Sequence, residues 1–266
     1  PMGRGMDLLA IGDPSFGSLE KENKGDIFQE FFSTTAFNFY GLKYSGTEIK
    51  KISALFKNKK RNILLKENAS EENVKSHHLE DYKIIHFATH SIIDEKRPAR
   101  SSIVLKLDEN PDEDGFLQMR EIYYLKLNSD LVTLSACQTG LGQYIRGEGI
   151  EGLNRAFFNA GSSSVLMSLW AVNDQATCQL MERFYTHLCE SESIMNGLRK
   201  VKLEMIDSNV LSHPYYWAGF IISGNAGQVI FPKSTNALQI LGFSLLIGGL
   251  LIFVAVKKLP FLARKP

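Results

Sequence analysis

Residues 131–142 read Leu-Val-Thr-Leu-Ser-Ala-Cys-Gln-Thr-Gly-Leu-Gly, and this stretch decides the fold class. Its first part is an apolar, β-branched run, which is typical of a buried strand in a parallel sheet. A loop punctuated by glycine follows at once, so Cys137 stands where the chain leaves the strand. In open α/β sheets, sites are built outside the carboxyl ends of the strands. Cys137 is therefore a candidate nucleophile if another part of the chain supplies a group that activates it.

A second predicted strand, residues 83–88, ends in the same way and runs into Thr89, His90 and Ser91. If the two strands are neighbours, His90 and Cys137 leave the sheet at one edge, because adjacent strands lie about 4.8 Å apart. A thiol beside an imidazole performs acyl transfer: the thiolate attacks a carbonyl carbon and the histidine moves protons. Backbone N–H groups of Cys137 and Ser91, in tight turns, are candidates for an oxyanion hole. The competing interpretation is that Cys137 is a small core residue.

Strands and helices alternate along the chain. Further strands are predicted at residues 7–12, 62–65, 101–107, 164–169 and 220–223, and helices at 149–160, 174–190 and 193–206. Shorter helices are predicted to follow the caps Thr47 and Ser70. The alternation predicts an α/β fold in which a mostly parallel sheet lies between two helical layers. His86, inside a strand, is expected to be an interior histidine with its hydrogen bonds satisfied.

Charge and cysteine content limit the range of partners and cofactors. The 266-residue chain has a formal net charge of +1 and a pI near 8.1, which indicates no nucleic-acid partner. Cys178 and Cys189 fall in one predicted helix, and at about 1.5 Å per residue they lie too far apart for a disulfide. We therefore expect free thiols, and we expect no metal and no other cofactor.

The acidic loop after residue 107 resembles a calcium loop in its spacing only. Five residues fall at positions 1, 3, 5, 6 and 12 of an EF-hand loop, namely Asn110, Asp112, Asp114, Gly115 and Glu121. Position 1 is asparagine, Pro111 intrudes, and the preceding segment is a predicted strand where an EF-hand has a helix. We therefore expect no calcium site here.

The chain changes character at residues 237–256. These 20 residues contain no charge, and Gln239 and Ser244 are their only polar side chains. A helix of this length, at about 1.5 Å per residue, spans a hydrocarbon core of about 30 Å. We expect a single-pass transmembrane helix followed by a basic tail, residues 257–266, with a buried core helix as the alternative. The basic tail favours the cytoplasm, which places the domain outside if an upstream export signal exists; without one, the domain is cytoplasmic.

Five motifs lie between residues 85 and 220, within a resemblance that covers about residues 7 to 224. They are Ile-His-Phe-Ala-Thr-His (85–90), Leu-Ser-Ala-Cys-Gln-Thr-Gly-Leu-Gly (134–142), Gly-Glu-Gly-Ile-Glu-Gly-Leu (147–153), Ser-Leu-Trp-Ala-Val-Asn-Asp (168–174) and His-Pro-Tyr-Tyr-Trp-Ala-Gly-Phe (213–220). In order and spacing the chain resembles the CHAT domain, a family of caspase-like and separase-like cysteine peptidases commonly attached to tetratricopeptide repeats. The resemblance implies a caspase-like sheet, with His90 and Cys137 as the catalytic dyad. It also implies a peptidase-like domain over residues 7–232, with 1–6 a cloning remnant or a cut end.

Two departures from the family pattern concern the dyad and the start of the domain. The family usually has glycine after the catalytic histidine, where its N–H serves the oxyanion hole, and this chain has Ser91. The family also usually begins further upstream, with strands before the Gly-Asp-Pro motif seen here at 12–14. We therefore expect this domain to lack its upstream part.

Asp174 has two candidate roles. In separases the aspartate of a similar Trp-x-Val-x-Asp stretch lines a pocket for the basic residue before the cut bond, and a carboxylate suits arginine or lysine. The other role is the N-cap of the helix that follows. The two roles are compatible with each other.

The leading interpretation is a membrane-anchored cysteine endopeptidase that cleaves a protein substrate. Its control would come from a partner or from an upstream tetratricopeptide-repeat regulator. The alternative is a catalytically inactive CHAT-like module that docks a protein partner at the membrane.

Overall fold

A computed structural model describes residues 5–16, 42–94, 97–107, 113–135 and 148–233. The strands in these ranges are β1 (Met6–Pro14), β2 (Arg61–Lys66), β3 (Tyr82–Ala88), β4 (His90–Ile92), β5 (Ser102–Val104), β6 (Phe116–Gln118), β7 (Leu131–Leu134), β8 (Ser164–Ser168) and β9 (Phe220–Gly224). The helices are α1 (Ser45–Leu55), α2 (Glu71–Ser76), α3 (Met119–Ile122), α4 (Glu148–Ala160), α5 (Asp174–Cys189) and α6 (Ile194–Ile206).

Six strands form one sheet in the order β2-β1-β3-β7-β8-β9. Four of its pairings are parallel, and β9 pairs with β8 in the antiparallel sense. The predicted α/β fold with a mostly parallel sheet is therefore confirmed. Strands β3 and β7 are direct neighbours, with His86 opposite Thr133. This adjacency is the one that the predicted site requires.

Helices cover both faces of the six-stranded sheet. Successive side chains of a strand point to opposite faces, so the apolar strands give each face a core that the helices bury. On one face, residues such as Ile84 and Leu166 belong to a core shared with α1, α5 and α6. On the other face, residues such as Ile85 and Val132 pack in a second core with α4, α2 and the β5 strand. The predicted layering of helices on both sides of a sheet follows from this alternation.

Gly12 lets helix α1 approach the sheet closely. A Cβ atom at this position would lie 2.7 Å from Ile49 Cγ1 and 2.9 Å from the Ala88 carbonyl oxygen. Neither distance leaves room for a methyl group, so any larger residue would force the helix away from the strands. Helix α1 is thus seated against the carboxyl ends of β1 and β3, and Glu48, next to Ile49 in the chain, is carried there with it.

Helix α1 begins two residues before the predicted cap, so the prediction for Thr47 was wrong. Its N-cap is Tyr44, whose carbonyl oxygen accepts the Glu48 N–H at 2.8 Å, and no side chain caps the helix. The carboxylate of Asp174 accepts the Tyr44 N–H at 2.6 Å. This tertiary hydrogen bond, which no local sequence pattern encodes, fixes the start of the helix.

Strands β4, β5 and β6 form a separate antiparallel sheet. It starts directly after β3, where the Thr89 hydroxyl donates to the Val104 carbonyl oxygen. The β5 strand is shorter than the predicted 101–107, and Lys106 instead pairs with Ser70 in an isolated bridge. His90 and Ser91 therefore lie in a strand, and the prediction that Ser91 occupies a tight turn was wrong.

No helix in the described part of the chain is long and apolar enough to cross a bilayer. The predicted transmembrane segment, 237–256, and the basic tail, 257–266, lie outside the described residues. Cys137 lies outside them too. These three assignments therefore stay predictions.

A cluster of charges joins α2 to the antiparallel sheet. The Lys75 ammonium lies 2.8 to 2.9 Å from carboxylate oxygens of Glu71, Glu113 and Glu121. Glu71 also accepts the Gly115 N–H at 3.0 Å, next to the start of β6. Burial raises the pKa of the Glu71 carboxyl to about 7, although Lys75 opposes that shift. Glu71 therefore titrates in the physiological range.

We expect the substitution Glu71→Gln to change the pH dependence of stability. The folded chain keeps the Glu71 proton up to about pH 7, whereas an unfolded chain releases it near about pH 4.3. Folding then takes up a proton between these values, so the contribution of Glu71 to the free energy of unfolding falls as the pH rises through them. The variant, which lacks this titration, should gain stability relative to the unmodified protein from pH 5 to pH 8 in urea unfolding.

The matched control is Glu72→Gln on the exposed side of the same helix turn, which should show no such trend. A stability difference for Glu71→Gln that stays constant with pH would contradict the assigned shift.

Candidate active site at the carboxyl edge of the sheet

The carboxyl ends of β3 and β7, the strands before His90 and Cys137, lie side by side, which meets the condition that the predicted site requires. The pairing continues one residue past β7, where the Ser135 N–H donates to the Phe87 carbonyl oxygen at 3.0 Å. Cys137 follows two residues later, outside the described residues, and its distance from His90 stays a prediction.

His90 is the first residue of β4 and is enclosed, with a relative exposure of 6%. Its ring centroid lies 5.4 Å from that of Phe16, with the two planes inclined by 47°. Phe16 follows the end of β1, so the imidazole lies where the carboxyl ends of β1 and β3 meet. Packing against a ring restricts the rotamers of His90, which is what a proton-transfer residue needs in order to keep its geometry.

Ser91 is buried in the centre of β4, opposite Ile103 on β5. The sequence placed its N–H in a tight turn beside the dyad, and the strand replaces that turn. A serine has no conformational difficulty in a strand, so the family's glycine is not needed for backbone freedom at this position. The assignment of the Ser91 N–H to an oxyanion hole stays a prediction.

A buried hydrogen-bond network lies next to these strand ends, around the carboxylate of Glu48 on α1. Glu48 is 1% exposed, and its Oε1 lies 2.8 Å from His86 Nε2. The same oxygen accepts the Ser135 hydroxyl at 2.5 Å. One carboxylate oxygen therefore bonds a group on β3 and a group just beyond the end of β7.

Tyr185 on α5 extends the network to a second helix. Its hydroxyl oxygen lies 3.0 Å from His86 Nδ1 and 3.0 Å from Thr133 Oγ1. Burial raises the pKa of the Tyr185 hydroxyl far above its ordinary range, so it stays protonated at any working pH. The prediction that His86 is a satisfied interior histidine is confirmed, since both ring nitrogens have partners.

Asp174 is half-buried at the first position of α5, and the residue that caps the helix is Asn173. The Asn173 side chain accepts the Ala176 N–H at 3.1 Å. The prediction that Asp174 is the cap was wrong, because its carboxylate instead turns to the Tyr44 N–H. Burial raises the pKa of Asp174, and the charge of Glu48 adds to the rise.

The two described cysteines are free, as expected from their spacing. Burial raises the pKa of the Cys178 thiol to about 11 and also raises that of Cys189. Neither thiol is an effective nucleophile near neutral pH, because the thiolate is the reactive form.

Among the described residues no cluster of three or more histidine, cysteine, aspartate or glutamate side chains is arranged to hold a metal ion. Within the EF-hand-like spacing, Asp114 accepts the Phe116 N–H and Glu121 pairs with Lys75. Asn110 and Asp112 lie outside the described residues. The segment before the loop is the β5 strand, as predicted.

Comparison with known proteins assigns the class. The model of the CHAT domain family matches residues 2–225, and the chain belongs to this family, which is associated with a caspase-like, cysteine-peptidase-related fold. Tetratricopeptide repeat protein 28 of Mus musculus is 31% identical over 124 residues, which are 47% of this chain and 5% of that protein. The Homo sapiens protein of the same name is 30% identical over 124 residues, with the same coverage. The match thus spans only a small part of these relatives.

Sequence reasoning missed Glu48 and Tyr185. In the sequence, Glu48 only follows the predicted cap Thr47 in the first turn of a helix, and Tyr185 lies in a predicted helix outside every motif. Helical spacing offered a signal for Tyr185, since it lies beside Phe184 on the apolar face. No pattern along the chain shows that a glutamate on α1 reaches two strands that follow it by 38 and 87 residues.

The cap assignment is tested by comparing Asn173→Ala with Asp174→Asn. Loss of an N-cap side chain costs about 1 kcal/mol of stability, so Asn173→Ala should lower the free energy of unfolding by that order. Asp174→Asn keeps an oxygen that accepts the Tyr44 N–H, and it should cost less in urea unfolding at pH 7. A larger loss for Asp174→Asn would return the capping role to Asp174.

Proposed function

We propose that this protein is a membrane-anchored cysteine endopeptidase that cleaves a protein substrate with His90 and Cys137 as its dyad. The observation that carries the proposal is the parallel pairing of β3 with β7 in a chain of the CHAT family. That pairing brings the two strands that precede His90 and Cys137 to one sheet edge. Family membership supports a peptidase-related fold, and the activity itself is our inference.

In the proposed reaction, His90 takes the proton of the Cys137 thiol as the sulfur attacks the carbonyl carbon of the scissile bond. The negative charge on the carbonyl oxygen is stabilised by backbone N–H groups, for which Cys137 and Ser91 are the candidates. Collapse of this intermediate breaks the C–N bond, and His90 returns the proton to the leaving amine. Water then hydrolyses the thioester, with His90 as general base, and the free thiol is restored.

Asp174 supports a preference for a basic residue before the cut bond. Its carboxylate is half-buried, and the nearby charge of Glu48 works against its ionisation. An arginine or lysine side chain beside Asp174 would offset this unfavourable potential and form a charge-assisted hydrogen bond. The preference is therefore part of the proposal.

The proposed setting is a single-pass membrane protein under the control of a tetratricopeptide-repeat regulator. Residues 237–256 supply the proposed lipid-spanning helix, with the domain of residues 7–232 before it and the basic tail of 257–266 after it. The named relatives are tetratricopeptide repeat proteins, which is consistent with a repeat domain or partner.

Peptide cleavage tests the dyad. A peptide library incubated with the full chain should be cut, with arginine or lysine enriched before the cut bond. Cys137→Ala and His90→Ala should each abolish cutting, because the first removes the nucleophile and the second its base. Cys189→Ala, which removes a thiol of raised pKa, is the matched control and should cut normally. Cleavage that persists in Cys137→Ala would refute the mechanism.

Thiol alkylation separates the peptidase from an inactive interaction module, which the serine at position 91 favours. A thiol activated by His90 should react with iodoacetamide near pH 7 faster than Cys178, whose pKa of about 11 leaves a thiolate fraction of about 10⁻⁴. Mass spectrometry of the three labelled peptides over time gives the separate rates. Equal rates at Cys137, Cys178 and Cys189 would favour the inactive module.

A further inference from the structure

We propose that Glu48 is a positioning residue for the dyad, acting through Ser135 and His86. The inference rests on the proposed function, since it concerns how the strand ends that precede Cys137 and His90 are held. Glu48 needs no contact with substrate for this role. Its carboxylate accepts hydrogen bonds from His86 on β3 and from Ser135 just beyond β7, and these bonds hold the two strand ends relative to each other.

The first tie is to the strand end that leads to Cys137. Ser135 is buried one residue past β7, and its backbone N–H already bonds the Phe87 carbonyl oxygen. Its hydroxyl donates to Glu48 Oε1 at 2.5 Å. Backbone and side chain are therefore held at once, two residues before the candidate nucleophile. Any shift of Ser135 along the strand direction would break a bond to a buried carboxylate.

The second tie is to the strand that leads to His90. His86 lies four residues before His90, and its Nε2 lies 2.8 Å from the same Glu48 oxygen. Because Glu48 Oε1 bonds both His86 on β3 and Ser135 just beyond β7, a shift of one strand relative to the other would break one of the two hydrogen bonds. The backbone register alone, His86 opposite Thr133, sets the pairing of strands, and Glu48 adds a side-chain constraint at the carboxyl edge.

Donors and acceptors in the network are consistent with this direction of control. With a neutral His86, the Nε2–H and the Ser135 O–H both donate to Glu48, which as a carboxylate can only accept. His86 Nδ1 then accepts the Tyr185 O–H, and the Tyr185 oxygen accepts the Thr133 O–H. This tautomer is assigned from the network. Glu48 is the acceptor at the end of every chain of hydrogen bonds.

The position of α1 is itself secured at two places, so Glu48 is not free to follow the strands. Ile49 packs so closely against Gly12 that no side chain fits at position 12. The Tyr44 N–H, at the start of α1, is held by Asp174 on α5. The Glu48 carboxylate is therefore presented by a helix whose position is also set by contacts with β1 and α5. Asp174, the candidate specificity residue, is therefore hydrogen-bonded to the start of the helix that carries Glu48.

The test measures the pH profile of Cys137 alkylation in the full chain and in Ser135→Ala, Glu48→Gln and Tyr185→Phe, together with urea unfolding. Ser135→Ala removes one hydroxyl and leaves the Glu48–His86 bond in place. It should lower the Cys137 rate at pH 7 by about tenfold, because misplacement of reacting groups costs rate steeply. Glu48→Gln removes the carboxylate charge and so weakens the hydrogen bonds to His86 and Ser135, and it should also lower the Cys137 alkylation rate.

Tyr185→Phe is the matched control, since it removes a hydroxyl from the network without touching either bond to Glu48. It should lower the free energy of unfolding, because Thr133 and His86 Nδ1 lose a partner in the core. The Cys137 rate should stay within about twofold of the unmodified value if position, and not stability, decides reactivity. A fall in Tyr185→Phe equal to that in Ser135→Ala would overturn the positioning role.

The sign of the Glu48→Gln effect separates positioning from simple electrostatics. A carboxylate charge near a thiol opposes formation of the thiolate, so removing the charge alone would raise the rate. A raised rate would overturn the inference, and so would unchanged rates in both Glu48→Gln and Ser135→Ala. If Cys137 of the unmodified chain reacts no faster than Cys178 and Cys189, the proposed function fails and the positioning role fails with it.

Discussion

The candidate site depends on one parallel strand pairing, that of β3 with β7. Parallel pairing places both carboxyl ends at the same edge, so residues that are 47 positions apart in the chain, such as Phe87 and Leu134, become neighbours at a strand spacing of about 4.8 Å. His86 opposite Thr133 sets the register, and a slip of one residue would turn every side chain of β7 to the other face. β7 is buried on both faces, so such a slip is costly because it would exchange side chains between two closely packed cores and remove Thr133 from Tyr185.

A buried carboxylate is the least expected component beside this pairing. An isolated ionised carboxylate in a protein interior is strongly unfavourable, and Glu48 is tolerated because His86 and Ser135 both bond it. Removing a hydrogen-bond partner from a buried polar group typically costs about 1–3 kcal/mol, and more when the group is charged. The core therefore carries a polar network whose stability depends on helix and strands keeping one arrangement. The Glu48 network adds a directional constraint on α1 to the packing of Ile49 against Gly12 and the Tyr44–Asp174 hydrogen bond.

The sequence predicted the sheet and its mostly parallel sense, because apolar runs of strand length that alternate with helices are a local signal. The adjacency of β3 and β7 was only a condition for the site, and the structure supplies it. It did not predict that Tyr44 starts α1 or that Asn173 caps α5, because both depend on where Asp174 directs its carboxylate. A pattern of capping residues ranks Asp174 and Asn173 about equally. Local sequence patterns also could not predict the role of Glu48, since its partners His86 and Ser135 lie far along the chain. Local propensity fixed the elements, and tertiary hydrogen bonds decided their ends.

Two of the motifs that carry the family resemblance contain a residue that bonds Glu48 as well as a proposed dyad residue. In Ile-His-Phe-Ala-Thr-His the first histidine is His86, which bonds Glu48, and the second is His90. In Leu-Ser-Ala-Cys the serine is Ser135, which bonds the same oxygen, and the cysteine is Cys137. Each proposed dyad residue thus follows an anchored residue at a short, fixed distance along its own chain segment. A motif of this kind specifies the position of a reactive group as well as its chemistry. The proposed dyad needs that position irrespective of any role of Ser91 in an oxyanion hole.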